Sequence, residues 1–446
     1  MKKLSFIKGM LPADGLDFAH KRLVMKEAVL EVFTPKEVIL PMVQHHGRAA
    51  IPVVAVGDSV TCGQMIARED GNLSAPVHAS CSGIVTKIDL IRLPNRIQCK
   101  AIWIKNDLRR RVSPNITPRQ NPDMMKPDAI RSLLFASGIV GMGGEGYPTY
   151  AKCLRAQAFG VRTLVVNVTQ SEPFLACDLH IVRTTADKVL FGAAALAGAT
   201  GAKRIVFCIE DAWNEEIISI QNAIAKIRDQ YIDRSFGIKV FRSRFPQGCQ
   251  QLLMKALFDV EISPDQLPEV ACKTVIFNTS TCYAVSEMIE RNQPLTSRVV
   301  TISGDTMTGH NVVVPIGTTV DELLERVPGA HSAQRVVWGG AMTGVALHDL
   351  KVPIIKTTTA ISVIRGYEPA LTPCIHCGAC THACPVGLEP NYINRFIEMG
   401  ASEALASESI QACIACGACS YVCPAGIALS TNIAKAAYRI RKRGSI

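Results

Sequence analysis

Cys374-Ile375-His376-Cys377-Gly378-Ala379-Cys380-Thr381-His382-Ala383-Cys384-Pro385 is answered further on by Cys413-Ile414-Ala415-Cys416-Gly417-Ala418-Cys419-Ser420-Tyr421-Val422-Cys423-Pro424. Both copies read C-x₂-C-x₂-C-x₃-C-P. Three cysteines spaced this closely let a tight loop wrap one face of a [4Fe–4S] cubane, and a fourth so near cannot reach the remaining iron. The last cysteine of each run therefore serves the other cluster. One cluster is assigned to Cys374, Cys377, Cys380 and Cys423, the other to Cys413, Cys416, Cys419 and Cys384. The small pairs Gly378-Ala379 and Gly417-Ala418 let backbone N–H groups approach the sulfurs. Zinc sites use separated C-x₂-C pairs without the trailing Cys-Pro, and disulfides suit an extracellular chain.

Outward from this stretch, 446 residues leave room for several domains, and 48% hydrophobic with 19% charged residues describes a folded chain. No apolar run is long enough to span a bilayer, and no apolar segment follows the charged N-terminus. Seventeen cysteines in such a chain point to a reducing cytoplasm. The net charge is +10, with basic residues gathered at Arg109, Arg110 and Arg111 and at Lys435, Arg439, Arg441, Lys442 and Arg443. No nucleic-acid recognition motif accompanies them. An acidic partner or an anionic membrane surface suits them better.

Residues 1–36 carry no readable pattern. From Val38 short β-branched runs are broken by glycine, with turn signals at Gly57-Asp58 and Gly71-Asn72. This stretch, 37–112, is similar to the barrel-sandwich hybrid of biotinyl and lipoyl domains. The tip where those domains carry a modifiable lysine reads Arg68-Glu69-Asp70-Gly71-Asn72, so the reading is an unmodified domain that packs or docks. Residues 113–127 hold four prolines and read as a linker.

A glycine-rich loop follows: Gly141-Met142-Gly143-Gly144-Glu145-Gly146-Tyr147-Pro148-Thr149, then Lys152. Such glycines let backbone reach a phosphate or ring, and Pro148 opens a helix whose N–H groups favour an anion. Next come strand 162–166, Asn167, and polar Thr169, Gln170, Ser171 and Glu172 before Pro173. Polar groups at the C-terminal end of a strand are where α/β folds bind ligands.

These residues resemble the flavin loop shared by the C subunit of the Rnf electron-transport complex and the flavin-bearing subunit of respiratory complex I. Residues 167–173 are similar to their Asn-x-x-Glu-x-Glu-Pro signature. Phe245-Pro246-Gln247-Gly248 and the stretch from Asn278 through Thr281-Cys282-Tyr283-Ala284 resemble two further segments of Rnf C subunits. The likeness implies a multidomain α/β protein: the barrel-like front, a Rossmann-like flavin and nucleotide domain (128–295), a soluble-ligand-binding β-grasp module (296–350), a second linker (351–372) and a ferredoxin-like dicluster domain (373–446). Carried over by position, it implies that Gly141, Gly143, Gly144, Lys152, Asn167, Asn278 and Thr281 hold FMN. Gly146, Tyr147 and Glu172 then face a nicotinamide nucleotide, NAD(H), as substrate.

Two departures bear on chemistry. The family's first signature glutamate is Gln170, and an acidic position after the second glycine motif is Gln250. Neutral amides keep the shape and lose negative charge, which raises a flavin's potential. The opening Phe6-Ile7-Lys8-Gly9-Met10 is at most a remnant of the family's His-Phe-Pro-Gly-Gly.

Thr319 and Glu322 form a capping box for a helix over 320–327; helices are also expected over 392–408 and 431–442. The nine cysteines outside the runs read as buried small hydrophobes, with Cys249 and Cys282 beside the flavin segments as redox-thiol candidates. His376 and His382 lie inside the first run, where they tune a cluster and do not ligate it.

The function expected is electron transfer between a nicotinamide nucleotide, FMN, two [4Fe–4S] clusters and a ferredoxin-like or membrane-complex partner. The location is cytoplasmic, or peripheral on the inner face of the cell membrane. The alternatives are a soluble adaptor for a metabolic reductase, of the proline-reductase or cobalamin-reductase type, and a cluster carrier with an inactive flavin fold.

Overall fold

The computed structural model describes residues 16, 33–71, 73–120, 125–227, 230–263, 265–304, 309–327, 335–364, 371–401 and 408–443. The remnant at 6–10 lies outside them.

The alternating runs at the front pair into two antiparallel sheets. One has the order β1-β7-β6-β3, built from Glu37–Pro41, Gln98–Asn106, Gly83–Arg92 and Ser59–Val60; the other is β2-β4-β5, built from Ile51–Pro52, Met65–Arg68 and Val77–His78. Register sets Val38 opposite Ile104 and Leu40 opposite Ile102, all four fully buried. Both sheets contribute to one apolar core with Val60, Ile66 and Val77.

The middle of the chain is a parallel sheet, β10-β9-β8-β11 (Ser235–Phe241, Arg204–Glu210, Thr163–Asn167, Thr274–Asn278). Its strands are apolar almost throughout, as a sheet buried on both faces requires; Leu164, Val165 and Val166 are fully buried. The order turns back between β8 and β11, the place where α/β sheets open a crevice. Asn167 and Asn278 are in register at the ends of these two strands. The long helix Cys177–Thr200 packs on Thr279–Arg291 through Gly192, where an added Cβ would lie 1.8 Å from the Cys282 carbonyl oxygen. Gly192→Ala should therefore force the helices apart and cost about 1–3 kcal/mol. It should lower the urea midpoint with an unchanged slope.

A third sheet has the order β13-β12-β16-β14-β15 (His310–Pro315, Ser297–Gly304, Ala360–Ile364, Arg335–Trp338, Val345–Ala346), with β12 and β16 parallel. Helix Val320–Arg326 lays Val320, Leu323 and Leu324 on its core. Two expectations change here. Residues 351–372 are not simply a linker, because β16 is the central strand of this sheet. The helix starts at Thr319 without a capping box: Thr319 makes no side-chain cap bond, and Glu322 Oε1 accepts instead from the Lys36 backbone N–H at 2.7 Å.

In the cysteine-rich part, Gly378 (φ 74°) and Gly417 (φ 84°) each open a one-turn helix, Ala379–His382 and Ala418–Tyr421. Helices Pro390–Glu398 and Leu429–Arg443 pack Ile393, Ile433, Ala436 and Ala437 around Cys384. The expected 392–408 helix stops at Glu398, with left-handed Gly400 just beyond; residues 402–407 are outside the described set.

Candidate functional site

At the C-terminal edge of the parallel sheet lies a cavity of about 680 Å³. Gly141, Gly143, Gly144, Lys152, Asn167, Gln170, Glu172, Asn278 and Thr281 line it, and so does Gln250. Gly146 and Tyr147, expected to face a nucleotide, do not. The Gly146 carbonyl accepts from His46 N–H at 2.8 Å, and the Tyr147 ring stacks on His46 and lies under the Arg155 guanidinium. The Gly146-Tyr147 pair thus faces the front domain.

The loop is held from below. Met142 N–H donates to Thr281 Oγ1 at 3.0 Å, and the Met142 carbonyl accepts from buried Arg298 at 3.2 Å. Asn167 Oδ1 accepts from Thr169 N–H while its Nδ2 donates to the Gly248 carbonyl. Gln170 Oε1 accepts from the backbone N–H groups of Asp178 and Leu179, so the neutral amide serves the start of helix Cys177–Thr200. Asp178, which no motif singled out, lines the cavity and accepts from Asn278 Nδ2 at 2.6 Å and Ser280 N–H at 3.2 Å. Burial pushes its carboxyl up, while the Ser280 and Asn278 hydrogen bonds and the Arg298 cation pull it back. Both Glu172 carboxylate oxygens are engaged: Oε2 accepts from Met342 N–H at 2.9 Å and Oε1 from Thr343 Oγ1.

Ile414 and Cys416 of the second cysteine run line the same cavity. Beside it Cys384, Cys413, Cys416 and Cys419 line a second, small cavity with Pro385 and Ile433. Leu388 N–H donates to Cys384 Sγ at 3.3 Å and Ala415 N–H to Cys413 Sγ at 3.4 Å. Among the described residues no three His, Cys, Asp or Glu side chains gather as around a single ion. Four thiols ringing a space suit a cubane, whose corners bind them separately. Of the other set, Cys380 is buried, Cys423 half-buried, and Cys374 and Cys377 exposed. His376 and His382 are exposed as well. Cys249 and Cys282 are poor redox thiols: burial pushes Cys249 up to about 11 and raises Cys282 further, which disfavours the thiolate.

Residues 134–287 match the Nuo51 FMN-binding domain, 5–109 the RnfC barrel sandwich hybrid domain and 370–427 a 4Fe-4S dicluster domain. The C subunit of the ion-translocating oxidoreductase complex of Rhodobacter capsulatus is 31% identical over 394 residues, covering 87% of this chain and 75% of the relative. The chain belongs to the family of these ion-translocating oxidoreductase C subunits. A second member, the C subunit of the Na(+)-translocating ferredoxin:NAD(+) oxidoreductase complex of Acetobacterium woodii, is 30% identical over 80% of both chains. The Pseudomonas aeruginosa member is 34% identical, and the alignment covers 83% of this chain but 48% of that relative. Among solved structures, an NAD+-reducing [NiFe]-hydrogenase chain shares the fold at a TM-score of 0.55 and 16% identity, over 73% of this chain and 63% of that one. Like the family, this chain is a flavo-iron–sulfur electron-transfer protein whose cofactors are FMN and two [4Fe–4S] clusters.

The residues present fit FMN. Thr149 Oγ1, on the first turn of helix Thr149–Ala158 and on the cavity wall, is buried without a partner. Lys152 stands one turn further, its side chain 12% exposed, with the Glu145 carboxylate 3.9 Å away. A helix N-terminus with a buried hydroxyl and a lysine has the donors and the charge that suit a phosphate. At Gly143 an added Cβ would lie 3.1 Å from Asn278 Nδ2, so a side chain there would push on the Asn278 amide at the cavity wall. Lys152→Met should weaken FMN binding to the apoprotein about tenfold or more, about 1.4 kcal/mol, and leave riboflavin, which lacks the phosphate, nearly unaffected. Flavin fluorescence titration reads both.

Proposed function

We propose that this chain moves electrons between NAD(H) and a ferredoxin-like or membrane-complex partner, through FMN and then the two clusters. The observation that carries this reading is the single cavity that runs from the Gly141–Gly144 wall to Cys416. FMN exchanges two electrons as hydride on one side and passes them singly to clusters on the other. The protein's own part is placement. Thr149 and Lys152 would hold the phosphate; Asn167, Asn278 and Thr281 fix the walls. Gln170 and Gln250 put neutral amides where the family carries acids, which favours a higher flavin potential than an acidic pair there would; the carboxylates of Glu145, Glu172 and Asp178 line the cavity elsewhere. The ligand sets are Cys374, Cys377, Cys380 and Cys423 for one cluster and Cys413, Cys416, Cys419 and Cys384 for the other.

Exposed Leu371 (81%) and Ile375 (64%) beside exposed Cys374 and Cys377 support a partner docking at the outer cluster. We read the sheet around β12 and β16, crossed by helix Val320–Arg326, as the soluble-ligand-binding β-grasp module, in a scaffold role. Among the described residues no helix is long and apolar enough to cross a membrane, and we place the protein at the inner membrane face through its partner proteins.

Anaerobic purification tests the reading. A flavin spectrum with NADH-driven bleaching of the clusters is expected. Flavin without an NADH response favours the soluble adaptor, and clusters without flavin favour the carrier.

A further inference from the structure

We propose that Glu172 is a positioning residue: its carboxylate fixes loop 340–344 in the seat that carries the cysteine run 413–423 against the flavin cavity. The inference rests on the electron-transfer reading above and assigns the order of the clusters within it.

Glu172 follows β8, on the wall of the flavin cavity. Its two oxygens hold successive residues of the loop, the backbone N–H of Met342 and the hydroxyl of Thr343. Contact is close enough that a Cβ at Gly340 would lie 2.4 Å from Glu172 Cδ. The other side of the same loop meets the cysteines. A Cβ at Gly417 would lie 2.6 Å from the Met342 carbonyl oxygen, and the Met342 side chain packs with Phe245, Ala418 and Cys416. Met342 is thus held at its N–H by a flavin-site carboxylate and supports the Cys416-Gly417-Ala418 turn with its carbonyl and side chain. Cys416 lines the flavin cavity because that turn is seated there. The run 413–423 therefore borders the flavin, while Cys374 and Cys377 face outward. A carboxylate accepting two hydrogen bonds at the joint between two domains is a strut, and misplacing reacting groups by an ångström is costly.

The test uses full-length, anaerobically prepared protein carrying Glu172→Ala, Glu172→Gln or Thr343→Val. Hydrogen exchange is followed at 340–344 and 413–419, and flavin and iron contents are measured beside it. Electron passage is timed after light-driven reduction of the flavin with a sacrificial amine donor. Glu172→Ala should raise exchange in both segments about tenfold and slow transfer to the clusters about tenfold or more, at unchanged flavin and iron content. Glu172→Gln keeps an oxygen for Met342 N–H and should recover most of both. Thr343→Val, which removes one of the two contacts, should fall between. Unchanged exchange and transfer in Glu172→Ala, with nucleotide affinity reduced about tenfold, would overturn the proposal and make Glu172 a nucleotide contact. The exchange measurement needs neither flavin nor nucleotide, so it decides the strut even if the electron-transfer reading fails.

Discussion

Replacing Cys384 by serine should strip the iron from the site made by Cys413, Cys416 and Cys419 and spare the site of its own run. Iron should fall from about eight to about four per chain, and the spectrum lost should be the one lost in Cys413→Ser. It should differ from the spectrum lost in Cys374→Ser. The reason is placement. Cys384 lines a cavity with Cys413, Cys416 and Cys419 and is packed among Leu388, Ile393 and Ile433, with Leu388 N–H on its sulfur. Burial pushes Cys416 and Cys419 up to about 12, with neighbouring thiols adding to the rise. Iron is what permits such thiols to be thiolates, so its binding energy is part of this domain's folding energy. The variant should melt earlier by several degrees. Sequence-local ligation predicts the opposite pairing: Cys384→Ser would then remove the same signal as Cys374→Ser.

How much of this was readable from the chain follows from which forces are local. A cubane dictates cysteine spacing within a dozen residues, so spacing alone predicts crossed sets before any fold is known, and Cys384, Cys413, Cys416 and Cys419 do line one small cavity. The Gly141–Gly144 loop and the polar end of strand Thr163–Asn167 are likewise local devices, and the structure gathers them on one cavity. What was not readable is long-range. Glu172 looks like one more acid in a signature, and its partner Met342 stands 170 positions away. Gly146-Tyr147 continues the glycine loop in sequence, yet packing against His46 turns it away. Asp178 and Arg298 carry no motif; only burial makes their charges matter. Strand Ala360–Ile364 is short and flanked by polar residues, so its place at the centre of a sheet depends on pairing with Thr301 to Gly304 from far upstream. Glu322 has the right spacing for a cap, and its carboxylate accepts instead from the Lys36 N–H, 286 positions away.

Lys356→Met should abolish the rise in stability that the native protein shows between about pH 7 and pH 9. Lys356 is 1% exposed, and its Nζ donates to the carbonyls of Pro76 and Gly138, both at 2.7 Å. Its own carbonyl accepts from Arg298, and its N–H donates to Gln44 Oε1. One residue thus ties the front domain, the Gly138 turn that precedes the flavin loop, and the third sheet. Burial lowers its pKa to about 7. The folded state then binds fewer protons than the unfolded one between that value and the ordinary lysine value near 10.5, so stability rises with pH, by about 1.4 kcal/mol per unit. Past pH 9 the buried thiols Cys153 and Cys208, held above their ordinary value, reverse the trend, because the unfolded chain ionises them first. His45 and His78 face the same ammonium; burial and that charge lower them to about 4 and about 3. They add a separate loss of stability as pH falls below 6.5, which Lys356→Met should soften by removing the cation. At pH 9 the variant should be the less stable protein, since two buried carbonyls lose their donor at about 1–3 kcal/mol each. The gap should narrow toward pH 7, where about half of the native lysine is charged and penalised. Urea denaturation across this range reads the difference directly, and parallel pH profiles for the two proteins would mean that Lys356 does not titrate in the fold.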